Sequence, residues 1–289
     1  MLKTKYIFYN TILKIKIFLS PNINSIVSII HNISKNNKHS SVWAKKELLV
    51  NFNGFKMLLN NNSPQDYDYF KGWIEEVSYE KKVTDTIKSL LKKNDIFIDV
   101  GANSGYYSLL ASYIVSKRGK VFAFEPVKDT YMRLLKNKKI NKFINIFTYN
   151  IALGNYNGKI KINISKYSDG QNSIGPIKDS YKQINVNIRK LDTVIKNSDI
   201  KKIKLIKIDA EGYELEVLKG SIKLLKFNPK IVFEYNKESV YRNKLDYNLI
   251  FEFLTDLGYS KFTQIEFNKP IYTYKGIRGL IANVLAEKV

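Results

Sequence analysis

The chain has 289 residues, 44% of them hydrophobic, which is enough for one sizeable α/β domain plus an extension and excludes global disorder. It contains no cysteine, so disulfide staples, thiolate zinc sites and a cysteine nucleophile are excluded, and with only two histidines, His31 and His39, a His-rich metal site is excluded too. The net charge of +22 favours anionic partners such as nucleic acid, an anionic membrane surface or an acidic glycan, but the lysines are spread along the whole chain rather than gathered into one patch.

Residues 1–40 read as a helical, polar-rich extension. Tyr6, Ile7, Phe8, Ile12, Leu13 and Ile15 alternate there with Lys3, Lys5, Lys14 and Lys16. That pattern suits either a basic amphipathic helix on a membrane surface or a helix packed on the main domain. It has no unbroken apolar run of the kind a secretory signal needs, and Ile17–Ser34 is too polar to span a bilayer. The expected location is cytoplasmic, with peripheral membrane contact through the basic N-terminus. Leu48–Phe52 and Phe55–Leu59 read as short strands, and the Asn60–Pro64 run as a loop. The expected division is an N-terminal extension over residues 1–65, mainly helical and basic, and one domain over residues 66–289.

From Glu80 a helix over Glu80–Leu91 leads into repeated strand–helix alternation. Strand Ile96–Val100 precedes a helix over Tyr106–Ser116. Strand Val121–Phe124 precedes a helix over Asp129–Lys138, and Ile144–Tyr149 is a third strand. Lys159–Ile164 and Ile184–Ile188 alternate apolar and polar residues and read as an antiparallel insertion. The polar loop between them, around Asp169–Ser173, reads as mobile. Strand Lys204–Ile208 precedes a helix over Glu214–Leu225, and Lys230–Phe233 is a fifth core strand. After a helix over Leu245–Leu257, Lys261–Ile265 and Ile271–Tyr274 read as a closing hairpin. Such alternation predicts a mostly parallel sheet with helices on both faces.

The stretch Asp99-Val100-Gly101-Ala102-Asn103-Ser104-Gly105 is a strand that ends in a carboxylate and turns over two glycines into a helix. Turns of this kind approach nucleotide-like cofactors in open sheets. The Gly-x-x-x-Gly spacing with Asn103 in the middle departs from Gly-x-Gly-x-x-Gly, and so points away from a dinucleotide pyrophosphate. S-adenosylmethionine carries no phosphate, and Asp99 would face its ammonium group. Glu125 ends the second strand about twenty residues after the turn, where an acid accepts both ribose hydroxyls. Gly101, Ala102, Asn103 and Gly105 complete the expected cofactor contacts, and Asn150, ending the third strand, is placed to meet the adenine edge.

Three segments together resemble the FkbM-type family of S-adenosylmethionine-dependent methyltransferases. They are Phe97–Ser108, Phe124-Glu125-Pro126, and Ile206-Lys207-Ile208-Asp209-Ala210-Glu211-Gly212-Tyr213-Glu214, which continues through Val217-Leu218-Lys219-Gly220. The third is the most discriminating. The resemblance covers residues 70–265, with Ser104 standing where the family carries Ile or Val. It implies a Rossmann-like class I methyltransferase fold: a mostly parallel seven-stranded sheet with an antiparallel C-terminal hairpin. It also implies O-methylation of a hydroxyl on a glycan, glycolipid or small-molecule natural product.

Methyl transfer from a sulfonium is an in-line displacement that needs the acceptor aligned and its proton removed. Asp209 and Glu211 after the fourth strand and Glu234 after the fifth stand at the strand ends where ligands bind. Asp209 is expected to be the most chemically engaged, then Glu211. Two mechanisms stay open: a carboxylate as general base, or a divalent cation held by Asp209 and Glu234. Glu214 and Glu216 read as acids of a first helical turn that complement the dipole. A second reading is an RNA ribose 2′-O-methyltransferase, with Lys207, Asp209 and Glu234 as members of a Lys-Asp-Lys-Glu set. A third is a non-catalytic basic protein that keeps the fold.

Overall fold

Residues 47–289 are described by the computed structural model, apart from 76, 167, 176, 178, 179, 244 and 245. The extension expected over residues 1–40 lies outside them. The chain divides into two compact units, one ending at Tyr79 and the other beginning at Glu80.

In the first unit, β1 (Glu47–Phe52) and β2 (Phe55–Asn60) pair antiparallel across Asn53-Gly54. Leu48 and Val50 on β1, with Phe55, Met57 and Leu59 on β2, fill the buried face. This is the period-two alternation of a half-buried sheet. The loop after β2 ends at Ser63, whose hydroxyl caps helix α1 (Pro64–Ile74) by accepting from the Asp66 amide. Pro64 suits the first turn, where its missing N–H costs nothing.

The second unit is built on an eight-stranded sheet. Its strands are β3 (Ile96–Val100), β4 (Lys120–Phe124), β5 (Ile146–Tyr149), β9 (Ile203–Ile208), β10 (Lys230–Asn236), β11 (Lys261–Gln264), β12 (Lys269–Pro270) and β13 (Ile281–Glu287). Their order is β12-β11-β13-β10-β9-β3-β4-β5. The run from β10 to β5 is parallel throughout, and β13 is antiparallel to both β10 and β11. Every residue of β3 is buried, as in a parallel strand covered on both faces. Helix α2 (Lys81–Leu90) leads into β3, and α3 (Tyr106–Val115) and α4 (Lys128–Ile140) are the crossovers from β3 to β4 and from β4 to β5.

A separate small sheet joins β6 (Ala152–Leu153), β7 (Gly158–Ser165) and β8 (Ser180–Arg189), with β7 and β8 antiparallel as expected. Short helices α5 (Leu191–Val194) and α6 (Asn197–Ile200) lead back to β9. The helix expected over Glu214–Leu225 is broken into α7 (Glu214–Lys219) and α8 (Ile222–Leu225). At the break, a Cβ on Gly220 would lie 1.9 Å from the Gly154 carbonyl oxygen, so only glycine fits there. Helices α9 (Lys237–Asn243) and α10 (Asn248–Asp256) follow β10.

The end of the sheet differs from the sequence reading. Ile271–Tyr274 is not a strand; β11 pairs with the two-residue β12, and Ile281–Glu287 inserts between β10 and β11. The sheet therefore has eight strands rather than seven, and its long antiparallel strand is β13. The run Ile281–Ala286 is short, mostly apolar and interrupted by Asn283, so its local pattern does not distinguish strand from helix. Among the described residues, no helix is long and apolar enough to cross a membrane.

Strands β4 and β5 extend to one side of β3, while β9 and β10 extend to the other. Chain order therefore reverses between β3 and β9. The crevice at the carboxyl ends of these two strands is where an open α/β sheet binds its ligand.

Candidate active site

Asp99 ends β3 beside Lys207 of β9 in the strand register. Its carboxylate is 1% exposed. Oδ2 accepts a 2.5 Å hydrogen bond from the Ser108 hydroxyl, one turn into α3, whereas Oδ1 has no hydrogen-bond partner among the described residues. Burial raises the Asp99 pKa, and the Lys207 charge and the Ser108 bond draw it back. A buried acceptor left unmet costs free energy, so this oxygen suits a cationic donor such as an ammonium group.

The two glycines of the turn have φ of +75° and +104°. Their missing side chains also serve packing within the protein. A Cβ on Gly101 would sit 1.9 Å from the Asp209 carbonyl oxygen, and one on Gly105 would sit 2.6 Å from Leu134 Cδ1. Glycine thus lets the β3 and β9 loops close on each other and lets α3 settle on α4. The Gly101 and Ala102 amides both donate to the Phe124 carbonyl, at 3.0 and 2.9 Å. Asn103, in the left-handed region at φ +49°, donates its amide to Glu125 Oε2 at 3.0 Å.

Glu125 follows β4. Oε1 accepts from the Val127 amide and Oε2 from Asn103, so the carboxylate is fixed by one backbone donor on each oxygen. Burial pushes its pKa up to about 7, against the pull of those two bonds and of Arg133. Asn150 donates to the carbonyls of Glu125 and Pro126, both at 2.9 Å. Its amide hydrogens therefore fix the turn that carries Glu125. The Asp169–Ser173 loop, read from sequence as mobile, is tied down in the structure. Asp169 pairs with Arg133, Ser173 bridges to Asn163, and the Ser173 hydroxyl donates to the Glu211 carbonyl at 2.9 Å.

The acids expected to act on the acceptor are brought together. Asp209, Glu211 and Glu234 each offer a carboxylate oxygen, and these atoms all lie within 4.8 Å of one another. Their surroundings differ. Asp209 pairs with Lys207 at 2.8 Å. Glu211 has φ +50°, a conformation costing about 1–2 kcal/mol for a residue with a Cβ, and its Oε2 is 3.3 Å from the Asn236 amide nitrogen. Glu234, 8% exposed, has an Oε2 with no hydrogen-bond partner among the described residues. Burial first, then Asp209 and Glu211, hold its pKa well above the usual carboxylate range.

Buried groups that the sequence reading left out or placed elsewhere complete the centre. Lys207 is 2% exposed and points into the sheet end rather than to solvent. Burial opposes its charge, but Asp209, Asp99 and Glu80 outweigh that and raise the ammonium pKa. The Lys207 Nζ also lies 4.8 Å from the Tyr107 ring centre, a cation–π contact, and the Tyr107 hydroxyl donates to Glu80 at 2.6 Å. A lysine held protonated in this way is a poor base. Glu214 is not an exposed first-turn acid: it is 1% exposed and turned inward. Its Oε1 accepts from the amides of Ala210 and Gly212, at 3.0 and 3.1 Å, and its Oε2 accepts from the Tyr247 hydroxyl at 2.8 Å.

The family model for the Methyltransferase FkbM domain matches residues 99–261, more than half of the chain and the whole span from Asp99 to β11. The chain belongs to the FkbM methyltransferase family. Among curated proteins, it is 29% identical over 145 residues to hexuronic acid methyltransferase AglP of Haloferax volcanii, covering 49% of this chain and 57% of that protein. The chain thus spans just over half the length of AglP. It is 25% identical over 202 residues to 2-O-methyltransferase NoeI of Sinorhizobium fredii, covering 64% and 82%. A solved FkbM methyltransferase from Methylobacillus flagellatus is similar at 15% identity with a TM-score of 0.43, covering 77% of this chain and 53% of that one.

Proposed function

We propose that this FkbM-family protein transfers a methyl group from S-adenosylmethionine to a hydroxyl of a sugar, on a glycan or glycolipid. The observation that carries this reading is the acid cluster of Asp209, Glu211 and Glu234, with oxygens within 4.8 Å of one another, at the strand ends beside Asp99. The cofactor half of the reading is supported by the unmet, buried Oδ1 of Asp99, which suits the ammonium group. Glu125, held by backbone amides at the end of β4, suits the ribose hydroxyls. A sugar acceptor is suggested by the name of one relative, a hexuronic acid methyltransferase, and transfer to oxygen by that of the other, a 2-O-methyltransferase.

S-adenosylmethionine supplies the electrophilic methyl group; the protein must orient the acceptor oxygen and take its proton. Asp209 is committed to Lys207, which suits it to orienting the hydroxyl. Glu234, with an unpartnered oxygen inside the acid cluster, suits proton acceptance in its ionised form. Glu211 closes the third side. The same three carboxylates are a hard-oxygen donor set that fits a divalent cation, which would supply Lewis-acid acidification of the hydroxyl.

Calorimetric titration with S-adenosylmethionine, followed by counting of labelled methyl groups on uronic-acid and neutral-sugar oligosaccharides, tests the reading. Binding with transfer to sugar hydroxyls is expected. Absence of cofactor binding, or transfer to RNA alone, would sink it.

A further inference from the structure

We infer that Glu214 and Tyr247 form a buried positioning clamp that sets the spacing of Asp209, Glu211 and Glu234. The inference rests on the reading of those three acids given above.

The loop Asp209-Ala210-Glu211-Gly212 leaves β9 and must hold two carboxylates near a third. Like charges at that spacing repel, and the backbone adopts left-handed φ at both Glu211 (+50°) and Gly212 (+95°). Such a loop keeps its shape only if its surroundings over-determine it. Glu214 supplies this. One oxygen receives two amides of the loop, Ala210 at 3.0 Å and Gly212 at 3.1 Å, on either side of Glu211. The other oxygen accepts from the Tyr247 hydroxyl at 2.8 Å, and that hydroxyl lies 3.0 Å from the main-chain carbonyl of Glu234 itself.

Tyr247 thus stands between the residue that shapes the β9 loop and the backbone that carries the third acid. It is 2% exposed, packed edge-on against Tyr235 of β10 at 4.9 Å between ring centres. Neither Glu214 nor Tyr247 belongs to the acid cluster. Both act through the groups they hold.

The test uses the full chain and three variants, Glu214→Ala, Glu214→Gln and Tyr247→Phe, with two kinds of readout. Amide hydrogen exchange in the ligand-free protein should rise about 100-fold at Ala210 and Gly212 in Glu214→Ala, and within about threefold of wild type in Glu214→Gln, whose carbonyl still accepts. Methyl transfer to a glucuronic-acid-terminated oligosaccharide should lose about 100-fold in kcat in Glu214→Ala, while the Kd for S-adenosylmethionine stays within about threefold, because its proposed contacts lie on β3 and β4. Glu214→Gln should restore kcat to within about fivefold of wild type, and Tyr247→Phe should cost about tenfold in kcat.

Unchanged exchange at Ala210 and Gly212 in a folded Glu214→Ala protein overturns the clamp. So does a parallel fall of kcat, cofactor affinity and melting temperature, which marks a merely structural residue. If Glu214→Ala does not fold, Tyr247→Phe decides: it keeps the two amide bonds, and an unchanged kcat overturns the inference. A wild-type protein that binds no S-adenosylmethionine defeats the proposed function instead, and the exchange measurements then decide the clamp alone.

Discussion

The ammonium of Lys207 lies 2.8 Å from Asp209 Oδ2, buried at the point where strand order reverses. It is the positive charge that Asp209, Asp99 and Glu80 surround. Removing one partner of a buried charge group leaves the others uncompensated. Lys207→Met should therefore destabilise the protein by about 3–5 kcal/mol, read as a lower denaturant midpoint. Adding Asp209→Asn to it should recover part of that loss. A midpoint equal to wild type in the single variant would show that the pair contributes little.

Asp99→Asn keeps a group that can accept from Ser108 but removes the negative charge offered at Oδ1. A hydrogen bond to a charged group contributes about 1.5–3 kcal/mol, so affinity for S-adenosylmethionine should fall roughly 10- to 100-fold by titration calorimetry. Ser108→Ala should weaken binding much less. Equal effects of the two changes would contradict the ammonium contact.

Glu125 carries a pH prediction. Its pKa is raised by burial from 4.5 to about 7, so the folded state holds the proton more tightly than the unfolded chain. Its contribution to stability is fully present below pH 4.5, is lost as pH rises towards 7, and is flat above. The span corresponds to about 3 kcal/mol. In the ligand-free protein, Glu125→Gln should gain melting temperature relative to wild type as pH rises across that window. Cofactor affinity of the wild type should instead improve towards pH 7, as the carboxylate becomes the acceptor for ribose hydroxyls. A pH-independent difference in melting temperature would remove burial as the cause.

The glycine turn separates two kinds of close approach. At Gly101 a Cβ meets a backbone carbonyl, which cannot move aside; at Gly105 it meets the end of the flexible Leu134 side chain. Both positions have positive φ. Gly101→Ala should thus cost more than Gly105→Ala, which should cost about 1–3 kcal/mol. Comparing soluble yield and unfolding midpoint checks the order, and the reverse order would contradict the loop packing.

Chelation separates the two chemistries the acid cluster allows. If Asp209, Glu211 and Glu234 hold a divalent cation, EDTA should abolish transfer and added Mg²⁺ should restore it. If Glu234 alone takes the proton, turnover should be unchanged in chelator while Glu234→Gln loses about 100-fold.

Much of this molecule is legible in the chain itself. The parallel strands show as short apolar runs, as in Ile96–Val100 and Lys204–Ile208, and the glycine turn and Glu125 follow from local spacing. The Asp209–Glu214 segment names its chemistry by residue type alone. These features are short in range: periodicity, a positive-φ turn and a carboxylate at a strand end are all set within a few residues.

What the sequence by itself determined was therefore the alternation of elements, the family, and the acids at the strand ends. The tertiary structure decided what those residues do to one another. It placed β13 between β10 and β11, a pairing between segments far apart in sequence that no local pattern encodes. It turned Lys207 inward to meet Asp209, and it turned Glu214 from an ordinary helix-start acid into a buried acceptor for its own loop and for Tyr247. Burial and through-space charge made those assignments, and both depend on which strands become neighbours.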